Sequence, residues 1–334
     1  MKQFLPSRIF IALALIVGLA IVPASSSVLA QSPDASNGLE ISPVLVELNG
    51  ETGKNYTIDI KVRNVTKSDL YFKSSVDDFG AKDETGSPSI ILEDSSEPLA
   101  TSVKGWVTNI PDFWLASGDE RIINANVLIP PTAEPGGHYG VIRFSGHENV
   151  TDSGNVGLIA SAGTLLLVSV KGDIKESLEL TSFEASKDGT TGIAFESGPI
   201  TLVSRFTNTG SVHLKPVGQI EVKDAFGNSV ATLPVNEAMG NVLPDSTRRF
   251  ESTLDKTWLF GQYSADISIA YGNTGQAIVQ NMTFWVIPWK IILVALLLLG
   301  TVLFILRAVF KRYNRYIIGK DRARRSVKTT KKRK

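Results

Sequence analysis

Between Ile291 and Leu306 the chain carries no charged residue and almost no polar one. A run of this kind in hydrocarbon must satisfy its backbone amides internally, which makes it helical. About 20 mostly apolar residues cross ~30 Å of hydrocarbon. Ile287 and Ala308–Phe310 extend the run toward that length, and Lys290 can stretch its amine back to the interface. Trp285 and Trp289 stand at its front edge. Behind it come Arg307, Lys311, Arg312, Arg315, Lys320, Arg322, Arg324, Arg325, Lys328 and Lys331–Lys334. Aromatics at one end and a Lys/Arg excess at the other fit an aromatic belt and the positive-inside rule. A buried helix of a soluble protein leaves the basic tail unexplained. The pattern predicts a transmembrane helix over 287–310 and a basic cytoplasmic tail over 311–334.

The opposite terminus has the order of a secretory signal peptide. Lys2 and Arg8 precede the apolar Ile9–Val22, and Val28-Leu29-Ala30 places small residues before Gln31. Residues 1–30 are read as that signal, with cleavage after Ala30; an uncleaved N-terminal anchor is the alternative. The mature chain then lies outside the cytoplasm on a single C-terminal helix, in the cell membrane.

This topology changes the meaning of the formal net charge of +1. With the tail and the signal's first residues set aside, Gln31–Leu306 holds 19 basic and 32 acidic residues, a net of about −13. An acidic ectodomain excludes general nucleic-acid binding, which needs a basic surface. The tail suits anionic lipid headgroups instead. The chain has no cysteine, which removes thiol catalysis and thiolate metal sites and fits an exported bacterial protein stabilised by its core. The triplets beginning at Asn55, Asn64, Asn149 and Asn281 match Asn-x-Thr, a pattern that strand-rich sequence produces by chance.

Between the ends the hydrophobic period is two. Tyr56, Ile58, Ile60 and Val62 alternate with Thr57, Asp59, Lys61 and Arg63. Ile123, Ala125, Val127 and Ile129 repeat the pattern, as do Tyr263, Ala265, Ile267 and Ile269. Alternation marks half-buried strands, and Asn49-Gly50, Pro135-Gly136-Gly137 and Ala225-Phe226-Gly227-Asn228 supply turns. No amphipathic helix of useful length competes. The ectodomain exceeds one small sandwich of ~100 residues, and its outline repeats. Asn64-Val65-Thr66 and Asn208-Thr209-Gly210 each close an alternating strand. Pro135-Gly136-Gly137-His138-Tyr139 and Phe260-Gly261-Gln262-Tyr263 each open a Tyr-led one. The predicted architecture is mainly β: two tandem immunoglobulin-like sandwiches over 37–172 and 173–286, then the helix.

These residues bear a family resemblance. Gly38-Leu39-Glu40-Ile41-Ser42-Pro43, Trp106, Ile129 through Tyr139, Gly163–Val168 and Lys171-Gly172 together resemble the N-terminal domain of bacterial WxL-interacting surface proteins. The order of signal peptide, two sandwiches, helix and basic tail is also similar; the second domain matches only in outline. The resemblance implies peptidoglycan binding by the first domain and protein binding by the second, with a cell-wall polymer or a surface protein, for instance of the WxL type, as partner. It carries no ligand-binding residue across.

Candidate sites are few. His138 and His147 lie nine residues apart, on opposite faces of a regular strand, whereas a metal needs three or four converging ligands. Ser74–Ala100 is rich in carboxylates (Asp77, Asp78, Asp83, Glu84, Glu93, Asp94, Glu97) that are suitable for Ca²⁺. It lacks the spacing of an EF-hand loop and is read as a solvated loop around Ile90-Ile91. Trp106 is expected in the core. Phe113, Trp114 and Trp258 are the candidate partner-binding residues, through stacking or anchoring. No catalytic, cofactor or metal residue is assigned. The expected function is that of a non-enzymatic surface protein binding a cell-wall or protein partner. The alternatives are an envelope assembly factor that uses strand pairing and a membrane-tethered metal-dependent hydrolase.

Overall fold

The structure, a computed structural model, describes residues 38–92, 99–147 and 158–330; the signal-peptide reading of residues 1–30 lies outside them. The first ten strands are β1 (Leu39–Ser42), β2 (Leu45–Gly50), β3 (Asn55–Asn64), β4 (Leu70–Ala81), β5 (Pro88–Ile91), β6 (Val107–Thr108), β7 (Phe113–Leu115), β8 (Glu120–Leu128), β9 (Gly136–His147) and β10 (Leu158–Val170). Then follow β11 (Leu178–Lys187), β12 (Thr190–Thr191), β13 (Ala194–Phe195), β14 (Ile200–Asn208), β15 (Val217–Asp224), β16 (Ser229–Val235), β17 (Thr247–Leu254), β18 (Gly261–Tyr271) and β19 (Gln276–Val286). Helix α1 (Trp289–Thr330) closes the chain. It is mainly β with one C-terminal apolar helix.

The alternating residues segregate as their period requires. In β3, Ile58, Ile60 and Val62 are buried and Thr57, Asp59 and Lys61 are exposed. Two sheets, β1-β3-β8-β6 and β2-β10-β9-β4-β5 with β7 on β4, enclose one core that includes Ile60, Phe72, Trp106, Phe113, Phe144 and Leu166. Two more, β12-β11-β14-β17 and β13-β19-β18-β15-β16, enclose a second core that includes Ile200, Phe206, Ile220, Ile267 and Phe284. Each fully buried side chain of this size contributes about 1.5–3 kcal/mol.

The two sheet pairs share one plan. In each, the first strand pairs antiparallel with one sheet (β1 with β3, β11 with β14). The chain then crosses, and its next segment adds parallel to the other sheet's last strand (β2 with β10, β13 with β19). The repeated Asn has the same job in both. Asn64, fully buried, donates to the carbonyls of Ser68 and Leu115 and accepts from the Thr66 backbone and hydroxyl. Asn208, equally buried, donates to Val212 and Val242 and accepts from Gly210 N. One amide thus ties a strand end to two loops and helps to satisfy their backbone.

Two expectations change. Ser74–Ile91 is not a solvated loop throughout, because Ser74–Ala81 completes β4 and pairs in part with β5, with Phe79 opposite Ile90. Its carboxylates are held by neighbours: Asp77 by Arg143 at 2.7 Å, Asp78 by Ser102 Oγ at 2.6 Å and by Lys104, and Asp83 by Thr85. Glu93, Asp94 and Glu97 lie outside the described residues. The helix starts at Trp289 rather than 287, since Ile287 N still donates to Phe195 O and Pro288 O accepts the first helical bonds. It also runs on through the predicted tail to Thr330.

Replacing Asn64 or Asn208 with Ala strips the Thr66 or Gly210 amide of its side-chain acceptor and the Leu115 or Val212 carbonyl of its side-chain donor in the interior. Each substitution is expected to cost about 3 kcal/mol, measured by denaturant unfolding of the detergent-solubilised protein, whereas Ala at the exposed Asn273 should cost far less.

Candidate functional site

A sheet ends where a strand has a neighbour on one side only. In β10 all of Leu158–Val170 faces β9, but β2 covers only Leu165–Val170. Leu165 N donates to Val44 O on the β2 side. By alternation, the backbone N–H and C=O of Ser161 and Gly163 point the same way, and among the described residues no strand receives them. Three other edges are blunted, whereas β19, which β13 covers only at Trp285 and Val286, leaves Gln276–Phe284 open without proline or charge. β16 contains Pro234, β5 begins with Pro88, and β17 carries Arg248, Arg249 and Glu251. The upper edge of β10 has none of these: Ala160, Ser161, Ala162, Gly163 and Thr164 are small and uncharged. The face beside it is ordered by Arg143, which bonds Asp77 and Ser145, with Ser145 in turn on Ser161.

Below the step at Leu165 the sheet meets the second sheet pair. The Pro135-Gly136-Gly137 turn makes this contact. Gly137 N donates to Ser211 O at 2.8 Å, and Gly136 has φ 132° with Ser211 O 2.8 Å from where a Cβ would sit. Only glycine fits there. Tyr139, the strand-leading Tyr, reaches across to His213 Nδ1 at 3.4 Å, whereas its counterpart Tyr263 closes locally on Phe260 N and O. Burial raises the Tyr139 phenol well above its usual range and pushes the His213 imidazole down to about 4. Burial alone would raise the Glu47 carboxyl. Hydrogen bonds from Lys215 and Asn241, with the Lys215 charge, outweigh that and hold it low. Arg205 adds a bridge to Glu84 at 2.8 Å, and Arg249 N donates to Glu84 O.

Between these ties lies an apolar recess lined by Leu45, Phe79, Leu165, Leu167, Leu243 and Arg248. Leu45 and Leu165 are also the residues at the step, so the recess adjoins the open edge. Arg248 is lowered from the usual guanidinium range by burial. It bonds Asn241 O and lies over the Phe250 ring, while its Nε has no partner among the described residues.

The aromatic candidates separate. Phe113 is not a surface residue: it is 4% exposed and stacks on Phe72 at 5.3 Å inside the first core. The period of β7 sends Phe113 and Leu115 inward and Trp114 outward. Trp114 is 52% exposed beside Tyr71, and Trp258 is 81% exposed in a loop of the second pair, so nothing brings the two together with Phe113. Trp106 is core, as expected, against the His138 ring at 4.5 Å. His138 is buried, and its Nε2 bonds Glu134 O. Among the described residues no three of His, Cys, Asp or Glu converge on a metal-sized site. Sequence reading missed the open edge, Glu47, His213 and Arg248. The one available signal was the glycine pair, which announced a close backbone approach without naming what approaches.

No family model matches this chain, and no curated protein matches it at a significant level. Among solved structures it is similar to a chain from the work on a chaperone–tip adhesin complex of CFA/I fimbriae. The identity is 13%, the match covers 73% of this chain and 97% of that one, and the TM-score is 0.37. It is similar also to the class 5 fimbriae chaperone CfaA (13% identity, 73% and 98% covered, TM-score 0.36) and to the E. coli chaperone DraB (15%, 74% and 96%, 0.31). Similarity at this level defines no family for the chain.

His213 sets a pH dependence for the contact between the sheet pairs. Its folded value of about 4 lies below the ordinary 6.5, so the unfolded chain takes up the proton first. The stability it confers is present above pH ~6.5 and lost as pH falls toward ~4, about 3 kcal/mol in all. His213→Gln is expected to flatten that part of the stability–pH curve, measured by thermal unfolding across the interval.

Proposed function

We propose that this chain is a membrane-anchored envelope protein whose two tandem immunoglobulin-like domains, 37–172 and 173–286, bind an extended segment of a protein partner by strand addition, without catalysis. The open upper edge of β10 carries this reading. A strand laid along Leu158–Gly163 gains the main-chain hydrogen bonds that β2 does not supply. Its lower end reaches the recess at Leu45 and Leu165, where an apolar side chain can be buried. The small, uncharged residues of the edge admit such a strand, whereas β16, β5 and β17 are blunted by proline or charge.

Helix α1 supports the anchoring. Trp289–Asn314 has a mean hydropathy of 2.7, and none of it is buried against the rest of the protein. The basic residues that follow support a cytoplasmic tail with the sheets outside, by the positive-inside rule. The partner in this reading is an envelope or surface protein, and the sequence resemblance supplies a WxL-type protein as the first candidate. Strand pairing, kept at first as an alternative to wall binding, thus becomes the principal reading.

A photo-crosslinking amino acid at Ser161, in cells that make the protein, is expected to give a discrete adduct with an envelope protein; the same probe at Lys67 should not. Ser161→Pro removes the outward N–H and leaves the β9 ladder intact. It should abolish the interaction while leaving the unfolding temperature within a few degrees. An adduct that persists in the Ser161→Pro background, with the probe at Ala160, would rule out strand addition at this edge.

A further inference from the structure

Strand register fixes which loops of the second sheet pair lie at the end where α1 departs. β18 enters at Gly261 opposite Val286, the last residue of β19, and α1 begins three residues later. Asp224, at the end of β15, pairs with Tyr263, so the turn that follows projects toward the same end. Leu254, at the end of β17, pairs with Ile200, and Gly198 N donates to Thr257 O just beyond. Ile193 O and Phe195 O accept from Trp285 N and Ile287 N, and Glu196 pairs with Lys290 at 2.9 Å. The turn after Asp224, the 255–260 connection and the 193–198 segment therefore share the membrane end.

That end is aromatic. Phe226 is 91% exposed at the hairpin tip, Trp258 81% and Phe260 70% in the connection, and Ile193, Trp285 and Trp289 are exposed beside them. The loops that hold them are built rather than loose. Asp224 Oδ1 accepts from Phe226 N and Asn228 N, and Gly227 takes φ 83° to close the turn. Phe260 is clamped by the Tyr263 hydroxyl at both N and O. The opposite end of this sheet pair faces the first pair, and its exposed large apolar side chains include Met239 and, less exposed, Val217, neither of them aromatic. Rigid loops that hold large aromatics outward fit an environment that is apolar on one side and wet on the other. The start of α1 places such an environment next to them.

We propose that Phe226, Trp258 and Phe260 seat the base of the second domain in the phospholipid headgroup layer of the bilayer that α1 crosses. The aromatic rim continues the belt of Trp285 and Trp289 and holds the ectodomain in a defined attitude to the membrane. This assigns Trp258 to lipid rather than to a protein partner, and it rests on α1 being a membrane span.

The absence of cysteine allows a direct test. Single cysteines at Ala225, Thr257 and, as the distant control, Lys67 would carry an environment-sensitive fluorophore. The full chain would be reconstituted in mixed phosphatidylcholine–phosphatidylglycerol vesicles with and without brominated acyl chains. Labels at 225 and 257 are expected to shift to the blue and to be quenched several-fold more by bromolipid than the label at 67. The F226S/W258S/F260S variant should reduce that quenching to the level at 67 without changing thermal unfolding. Labels at 225 and 257 as solvent-exposed as that at 67, in protein that floats with the vesicles and resists alkaline carbonate, would overturn the proposal. A chain stripped by carbonate would overturn the span, and the proposal with it.

Discussion

The parallel pairing of β2 with β10 organises the rest of the molecule. The chain begins in one sheet, bonded to β3, and changes sheets between Ser42 and Leu45. That crossing closes one side of the first core. Its register, Leu45 opposite Leu165 through Gly50 opposite Val170, also decides where the closure stops. A longer β2 would complete the sheet and remove the edge. A shorter one would expose Leu166 and Val168 of the core. The boundary between closed sheet and the proposed binding edge is a single step in strand register, with the recess at its foot.

Much of this was legible from period and punctuation. Alternation in Tyr56–Arg63, Glu120–Ile129 and Tyr263–Ile269 identified strands and the faces they bury, because a pleated backbone leaves few choices once one side meets a core. The repeated Asn and the Tyr-led strand entries pointed to a duplicated plan, and the two sheet pairs do share a topology. Phe113 was misplaced because its neighbour Trp114 is equally aromatic. Only the register of β7 against β4 tells inward from outward there. The acidic stretch misled because charge suggested solvent, whereas its residues are β-hairpin positions that pair with Arg143, Ser102 and Lys104 from distant parts of the chain. The open edge was invisible for a different reason: an edge is defined by the strand that is missing beside it, and no residue type encodes that.

The contact between the sheet pairs combines small backbone contacts with buried polar groups. Gly136 and Gly137 let Ser211 approach, Tyr139 meets His213, and Glu47 gathers Lys215 and Asn241. The β4–β5 hairpin adds Glu84, which grips both Arg205 and the Arg249 backbone. Contacts of this kind fix an orientation more than they supply stability, since buried polar groups repay little beyond their own desolvation. Their value lies in keeping the β10 step and the recess in register with each other.

The second sheet pair has the first at one end and α1 at the other. β10 is 13 residues long and β19 is 11, and each residue of strand advances about 3.3 Å. The two lengths do not add in one line, because the face of β10 that carries Leu165 and Leu167 packs against the second pair at Leu243 and Arg248. In the proposed arrangement, the length of the second sheet pair sets how far from α1 a partner must present its extended segment.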